Sequence, residues 1–191
     1  GKYYAEILRN QNNENKKLIF FFYYQGYEKT ESIISDNGAI VKKINLDKDG
    51  ISVKEINETE IDCVYCTPSH EYPMGITMPI SRRSELLSWA YELSNYDIKY
   101  DTKNMTNCRF IIEDDYDSDY RYQGNSIPAL QGFDTKDCVL YIGTFSRSLS
   151  PSMRVGYLVL PKRLMKVFCQ DLSYYSNTVS RIEQFVLNKF I

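Results

Sequence analysis

An acidic stretch that directly follows an apolar run is the most chemically suggestive feature of the sequence. Residues 109–112 are mostly apolar, and Glu113, Asp114, Asp115 and Tyr116 come next. In open sheets covered by helices, ligands bind beyond the carboxyl ends of the strands. These polar side chains therefore stand where a ligand site is expected.

Two other interpretations of the acidic stretch have to be weighed. Asp115, Asp117 and Asp119 alternate as the ligands of a calcium loop do, but Tyr120 stands where such a loop needs glycine and Ser126 where it needs glutamate. The calcium interpretation therefore fails. A solvated acidic loop is the second interpretation, and it is the one that these residues favour when taken alone.

A second segment has residues suited to an anion. Gly, Thr, Phe and Ser at residues 143–146 follow another apolar run. Hydroxyl groups and backbone amides at such a turn can cradle a phosphate, although capping of a helix is the common alternative for Thr144 and Ser146. Arg154 adds a guanidinium that matches phosphate through paired donors. A cation beside a buried strand normally needs an anionic partner, so Arg154 strengthens the anion-site interpretation.

A third segment is a proline- and glycine-bearing loop, residues 67–75, after the apolar run 63–66. It contains His70, the only histidine of the chain. A single histidine excludes a histidine metal site and a Ser-His triad with a choice of bases. We expect His70 to orient the loop, with a direct catalytic part as the alternative.

In this order and at this spacing, residues 67–75, 112–122 and 143–157 resemble the aminotransferase-like domain of MocR-type transcriptional regulators of the GntR family. That domain is similar to the fold-type I, class I/II enzymes that depend on pyridoxal 5′-phosphate (PLP). The resemblance covers residues 25–191. It implies an α/β fold, namely the three-layer α/β/α large domain of these enzymes with a mostly parallel sheet.

The resemblance also implies a role for individual residues. Asp114 would hold the pyridine nitrogen of PLP protonated, and Tyr116 would donate a hydrogen bond to the 3′-oxygen of its ring. The family's phosphate-binding arginine corresponds to Arg154. The remaining implied cofactor contacts are Thr144, Ser146, His70 and Tyr27, the last as a ring-stacking aromatic with core packing as an even alternative.

Arg147 is the decisive departure from the family pattern, because it stands where the family has the lysine that forms an imine with PLP. That chemistry requires a nitrogen that can lose its proton and attack the aldehyde. Arginine stays protonated and its lone pairs are delocalised. We therefore expect noncovalent PLP binding at best, and no transamination of the family's kind.

Other departures lie at the two ends of the sequence. Residues 1–17 lack the phosphate-binding turn that precedes this region in the family, and the chain reaches Ile191 without the family's small domain. We therefore expect residues 1–24 to be a poorly matched segment with one strand, and residues 25–191 to be a large domain that is incomplete at both ends. The family's winged-helix head is absent too, so the chain itself is not expected to bind DNA.

The composition fits one globular domain inside the cell. The chain has 191 residues, 43% of them hydrophobic, and a formal net charge of -2, which does not suggest a nucleic-acid or acidic-membrane surface. The longest apolar run, residues 18–24, is too short to span a membrane, and no signal peptide opens the chain. Five scattered cysteines favour a reducing compartment, so we expect a cytoplasmic location. Cys63 and Cys66 should point to opposite faces of a strand and share neither a metal nor a disulfide.

Apolar runs that alternate with amphipathic stretches predict a parallel sheet covered by helices. The predicted strands are residues 18–23, 39–44, 63–66, 109–113, 139–143 and 156–160. Helices are predicted over residues 27–36, ending at Asn37-Gly38, and after a cap at Ser81. A capping box formed by Ser180 and Glu183 begins a last helix.

These observations give one expected function and two alternatives. The expected function is that of a PLP-binding, catalytically defective effector domain, homodimeric and responsive to a small amine or amino acid. The first alternative is a non-catalytic dimerisation or binding module that no longer holds PLP. The second is a piece of a free-standing class I/II aminotransferase.

Overall fold

The computed structural model describes residues 18–23, 28–93, 108–117, 127–174 and 179–191. The strands are β1 (Ile19–Tyr23), β2 (Ile40–Ile44), β3 (Leu46–Asp47), β4 (Gly50–Ile51), β5 (Cys63–Cys66), β6 (Phe110–Asp115), β7 (Val139–Thr144) and β8 (Gly156–Val159). The helices are α1 (Glu28–Asp36), α2 (Val53–Asn57), α3 (Ile80–Glu92), α4 (Leu130–Phe133), α5 (Lys162–Asp171) and α6 (Arg181–Phe190).

Six of these strands form one mostly parallel sheet in the order β2-β1-β5-β6-β7-β8. Only the β7–β8 pair is antiparallel among the pairs of this sheet in the described ranges. The central strands are buried along nearly their whole length, as in the pattern of β5, which is buried at all four positions. Burial on both faces explains why these strands are continuously apolar and not alternating.

Helices lie on both faces of the sheet. Glu113 and Phe110 are an odd number of positions apart on β6, so their side chains point to opposite faces. Arg83 of α3 pairs with Glu113, and the guanidinium of Arg163 of α5 lies over the ring of Phe110. The helices α3 and α5 therefore cover opposite faces, and the expected three-layer α/β architecture is confirmed.

The predicted strands are confirmed with small shifts at their ends. The strand 63–66 has the predicted bounds, and β6 extends two residues beyond the predicted end, to Asp115. The first predicted helix also ends where expected, because Gly38 adopts a positive φ of 86°, which glycine tolerates without strain. The capping box of Ser180 and Glu183 is present as predicted.

The predicted cap of α3 was wrong. Pro79 is the residue that precedes the helix, and Ser81 lies inside the first turn. Proline fixes φ near the value that suits a helix start and has no N–H that needs a partner. The boundary therefore falls two residues earlier than the serine suggested.

The topology reverses direction next to β1. The chain passes from β1 to β2 on one side and then to β5 on the other, and such a switch point opens a crevice at the carboxyl ends of the strands. The carboxyl ends of β1, β5, β6 and β7 share this edge of the sheet, which we call the carboxyl edge. The segments that the sequence singles out leave the sheet there.

Two sequence-based expectations concern membranes and thiols. No helix in the described ranges is long and apolar enough to cross a bilayer. Cys63 and Cys66 are both buried free thiols. The Sγ of Cys66 faces the backbone oxygen of Ile112 at 3.8 Å, and no cluster of metal ligands is found among the described residues.

Candidate functional site

The carboxyl edge brings together the three segments that the sequence analysis singled out. The hydroxyl of Tyr116, just after β6, donates to the backbone oxygen of His70 in the loop after β5, at 2.9 Å. Nη1 of Arg147, in the turn after β7, donates to Oδ1 of Asp117 at 2.8 Å. Residues separated by 30 to 46 positions in the sequence thus meet at one edge. Tyr27 lies outside the described residues.

Asp114 lies near the end of β6 and accepts a hydrogen bond from the hydroxyl of Tyr65. The Tyr65 ring is buried and stacks on Phe22, with ring centroids 4.4 Å apart and planes inclined by 8°. Burial raises the pKa of Asp114 above its ordinary value, the Tyr65 hydrogen bond opposes that rise, and the nearby charge of Asp115 adds to it. Tyr65 therefore both fixes the carboxylate and favours its charged form.

Tyr116 and His70 form a second contact pair. Their rings meet edge to face, with centroids 6.1 Å apart and planes inclined by 62°. The pKa of the Tyr116 phenol is raised to about 12 by burial and by the charge of Asp117, with Arg147 opposing the rise. Tyr116 is therefore a protonated donor at neutral pH, and it holds the loop after β5 against the end of β6.

Arg147 is held by the residues that follow β6. Besides its bond to Asp117, its guanidinium carbon lies 5.3 Å from the centroid of the Tyr116 ring, a cation–π distance. The other carboxylate oxygen of Asp117, Oδ2, is 3.7 Å from Nδ1 of His70. Asp117 thus lies between a ring nitrogen and a guanidinium, and the arginine is oriented although 55% of its side-chain surface is exposed.

The turn between β7 and β8 is closed by its own polar groups. Ser146 donates from its backbone amide to Oγ1 of Thr144 at 3.1 Å and from its hydroxyl to the oxygen of Met153 at 2.9 Å. Thr144 in turn donates to the oxygen of Val155 at 3.3 Å, and so does the amide of Phe145 at 2.9 Å. The two hydroxyl groups thus form hydrogen bonds inside the turn. An anion bound there would compete with these internal acceptors for the hydroxyl protons.

Arg154 is exposed and lies next to this turn. The sequence argument that it stands beside a buried strand and needs an anionic partner for that reason was wrong, since its side chain reaches solvent. Within the described part of the chain no carboxylate forms an ion pair with it. Its guanidinium is available to an anion at the mouth of the turn.

A buried ion pair that the sequence analysis missed lies behind these residues. Nη1 of Arg83, on α3, is 3.9 Å from Oε1 of Glu113, and neither side chain has any exposed surface. Glu113 also accepts from the backbone amides of Leu130 and Gln131, at 2.8 and 2.9 Å. Burial raises the pKa of Glu113, while these two amides and Arg83 oppose the rise.

A chain of hydrogen bonds runs from the end of β1 into the loop after β5. The hydroxyl of Tyr23 is 3.2 Å from Oγ1 of Thr67, which donates to Oε2 of Glu71 at 3.4 Å. Burial raises the pKa of Glu71 to about 8, against opposition from Thr67 and Arg83. Glu71 therefore holds a proton at neutral pH. The chain of hydrogen bonds from Tyr23 to Glu71 crosses the switch point between β1 and β5.

Three of the missed residues, Tyr23, Tyr65 and Arg83, have a partner at least 30 positions away along the chain. Tyr65 and Asp114 are 49 positions apart. Glu113 could have been recognised from the sequence, because it is a charged residue inside a predicted strand that is mostly apolar. Arg83 carried no such signal, because arginines are common on exposed helix faces.

Comparisons with known proteins connect the chain to regulators and to aminotransferases. The HTH-type transcriptional regulator YdeL of Bacillus subtilis, itself uncharacterised, is 41% identical over 166 residues, which make up 87% of this chain and 33% of YdeL. The probable rhizopine catabolism regulatory protein MocR of Rhizobium meliloti is 31% identical over 166 residues, 87% of this chain and 31% of MocR. No protein-family model matches the chain.

The fold has solved counterparts as well. The kynurenine aminotransferase of Pyrococcus horikoshii superposes with a TM-score of 0.67 at 25% identity, over 90% of this chain and 42% of that enzyme. The chain thus spans about a third of the length of the regulators and less than half of the enzyme. It is a homologue of the MocR-type regulators of the GntR family and of aminotransferases, and it has the fold of the fold-type I aminotransferases.

Proposed function

We propose that this chain is the cofactor-binding part of a MocR-type regulator, that it binds PLP noncovalently at the carboxyl edge, and that it does not catalyse transamination. The observation that carries the proposal is Arg147, held by Asp117 and Tyr116 at the position of the family's lysine. In this proposal residues 25–191 form the large domain and residues 1–24 a segment outside it.

The donor set at the carboxyl edge fits the ring of PLP. Asp114 offers a carboxylate, fixed by Tyr65, that would pair with the protonated pyridine nitrogen. Tyr116 would donate to the ring oxygen, and to do so its hydroxyl would have to turn from the backbone oxygen of His70, to which it donates at 2.9 Å. When bound, PLP would supply an electron-withdrawing ring and an aldehyde. Tyr27 stays a proposed stacking partner.

The turn after β7 fits the phosphate. A phosphate here would share the hydroxyl groups of Thr144 and Ser146 with their bonds inside the turn, and Arg154 offers an exposed guanidinium beside it. Paired guanidinium donors match the geometry of phosphate oxygens. The fit fails only for covalent attachment at residue 147. The guanidinium of Arg147 carries charge but provides no free lone pair to attack an aldehyde.

Absorbance titration and reduction with borohydride test this proposal. We expect the unaltered chain to bind PLP reversibly, with no PLP joined to a residue of the site after borohydride treatment and mass spectrometry. Arg147→Lys should give a borohydride-trapped adduct at residue 147, because the lysine amine can lose its proton. Arg163→Lys, in which a partly exposed arginine away from the carboxyl edge becomes lysine, is the matched control and should give none. An adduct at any residue of the site in the unaltered chain would overturn the proposal.

The same titration distinguishes this proposal from the alternative of a non-catalytic module that has lost PLP. If neither the unaltered chain nor Arg147→Lys binds PLP, that alternative is the correct one.

The remaining parts of the proposal concern the whole regulator. We propose that it acts as a homodimer in the cytoplasm, responds to a small amine or amino acid, and binds DNA through a winged helix outside this chain. The similarity to HTH-type regulators supports this assignment over that of a free-standing aminotransferase. The gene that encodes the chain tests it: an open reading frame with a winged helix upstream supports the regulator, and a frame without one supports the enzyme.

A further inference from the structure

We infer that Arg83, paired with Glu113, is the positioning residue of the candidate site. It fixes residues 67–78 against the end of β6, so that His70 and Tyr116 meet where the ring of the cofactor would be held. This inference rests on the proposed function and adds a residue that does not touch the ligand.

The contacts of Arg83 join both ends of this loop. Its Nε donates to the oxygen of Met78 at 3.1 Å, and its Nη2 donates to the oxygen of Pro68 at 3.0 Å. These two residues are also joined to each other, since the amide of Met78 donates to Pro68 at 2.9 Å. One guanidinium therefore closes the base of the loop that carries His70.

A third chain segment is tied to the same side chain. Nη1 of Arg83 donates to the oxygen of Pro128 at 2.7 Å and lies 3.9 Å from Glu113. Glu113 accepts from the amides of Leu130 and Gln131, so its carboxylate fixes the start of α4. The pair thus connects the loop after β5, the end of β6 and the segment before α4 in one buried network.

This network bears on the site because of where Glu113 lies. Glu113 directly precedes Asp114 on β6, and Tyr116 lies two residues after Asp114. A buried charge pair needs all its partners in place, since an unpaired buried charge is strongly unfavourable. The pair therefore admits only a narrow range of positions for the loop relative to β6, and the Tyr116–His70 hydrogen bond depends on that position.

A comparison of the affinities for PLP and for inorganic phosphate distinguishes a positioning role of Arg83 from a purely structural one. Arg83 contacts the loop that would face the ring, and among the described residues none of its hydrogen bonds or ion pairs reaches the turn 144–155 that would hold the phosphate. Arg83→Met should therefore weaken PLP binding by about tenfold, the size of one or two lost hydrogen bonds to a charged group. Binding of inorganic phosphate, followed by ³¹P NMR, should stay within about twofold of the unaltered chain.

Arg109→Met is the matched control. Arg109 also joins α3 to a neighbouring segment, by donating to the oxygen of Trp89 at 2.9 Å and to Glu92 at 3.0 Å, but it lies at the other end of the helix. Its loss should lower the unfolding midpoint in urea and leave the affinity for PLP unchanged. Where Arg83→Met does not fold, Arg83→Lys and Glu113→Gln replace it, and each should weaken PLP binding more than phosphate binding.

The outcomes are distinct. If the affinities for PLP and for phosphate fell by the same factor, the variant would have lost structure generally, and the positioning role would be overturned. Unchanged PLP affinity in the folded Arg83 variants would overturn it too, with the proposed function intact. An unaltered chain that binds phosphate but no PLP would overturn the proposed function, and this inference with it.

Discussion

At the scale of single residues, the contact between Tyr65 and Asp114 would, under the proposed function, set how well the site holds a protonated ring. The hydroxyl of Tyr65 donates to the carboxylate and opposes the pKa rise that burial causes. Tyr65→Phe removes that donor, so the pKa of Asp114 should rise further and less of the carboxylate should be charged at neutral pH. We expect PLP affinity to fall by about tenfold, equivalent to roughly 1.5 kcal/mol for a hydrogen bond to a charged group.

Absorbance titration of Tyr65→Phe between pH 6 and 9 measures this effect. The deficit should shrink as the pH rises, because a higher pH restores the charged carboxylate. Tyr91→Phe is a suitable control, since the Tyr91 hydroxyl also donates to an aspartate, Asp134 at 3.0 Å, away from the site. A deficit that does not change with pH would contradict the explanation through Asp114.

A second prediction concerns the buried proton of Glu71. Its pKa is raised to about 8 in the folded chain from an ordinary value of 4.5, so between these values the folded state binds more protons than the unfolded state. The free energy of unfolding should therefore fall as the pH rises through this window, by up to about 1.4 kcal/mol per pH unit. Below pH 4.5 the stabilising contribution of Glu71 to the free energy of unfolding should be fully present.

Urea unfolding of the chain and of Glu71→Gln over this pH range checks the prediction. Glutamine keeps the shape and cannot ionise, so the difference between the two proteins isolates Glu71 from Glu113 and Asp114, whose pKa values are also raised. Parallel pH profiles would mean that Glu71 does not carry the effect.

At the scale of elements, the antiparallel pair β7–β8 depends on a glycine. Gly143 faces Tyr157, and a Cβ atom at residue 143 would lie 2.2 Å from Cζ of that ring. Gly143→Ala should therefore push the Tyr157 ring away from Tyr141 and Phe145, which it contacts at centroid distances of 6.0 and 5.1 Å. We expect a loss of about 1 to 2 kcal/mol in the free energy of unfolding.

A double-mutant cycle with Tyr157→Ala measures the coupling, because the added methyl group should be nearly harmless once the ring is gone. Additive losses would show that the cost arises in the backbone and not from the ring.

The elements also show what the sequence could and could not predict. The central strands were predictable because burial on both faces leaves continuous apolar runs. The edge strands β2 and β8 are more exposed, and they were predicted from shorter apolar runs. The strands β3 and β4 have two residues each, and the short helices α2 and α4 have five and four. These lengths are too short for a periodic pattern. The helix α5 is amphipathic and follows Pro161, so it carried a usable start signal that was missed.

For the site, the segments were predictable and their connections were not. Asp114, Tyr116 and Arg147 stood out by type and position. The bond from Tyr65 to Asp114 and the pairing of Arg83 with Glu113 depend on packing that the sequence does not display. Contacts between residues 30 or more positions apart depend on strand order, which no local pattern encodes.

At the scale of the whole molecule, the helix α6 presents an apolar surface to solvent. Ile182, Phe185 and Phe190 are 76%, 63% and 57% exposed, and α6 has no buried residue. Apolar groups of this size on one helix favour association. We expect the chain to self-associate, with a mass that rises with concentration in light scattering after size exclusion, and Phe185→Ser with Phe190→Ser to shift it toward the monomer.

Tyr174→Ser is the control for this prediction. Tyr174 is 72% exposed but lies outside α6, so its loss should leave the mass unchanged. A single monomer mass at every concentration would contradict the expectation.

The ion pair between Arg147 and Asp117 has a consequence for how such a protein can arise. Lysine and arginine codons can differ by a single base, and Asp117 can pair with either cation. Under the proposed function, one such base change therefore separates a chain that can hold PLP covalently from one that cannot, and Asp117 remains in place as the partner of the cation. The reverse step is equally short where the two codons differ by one base.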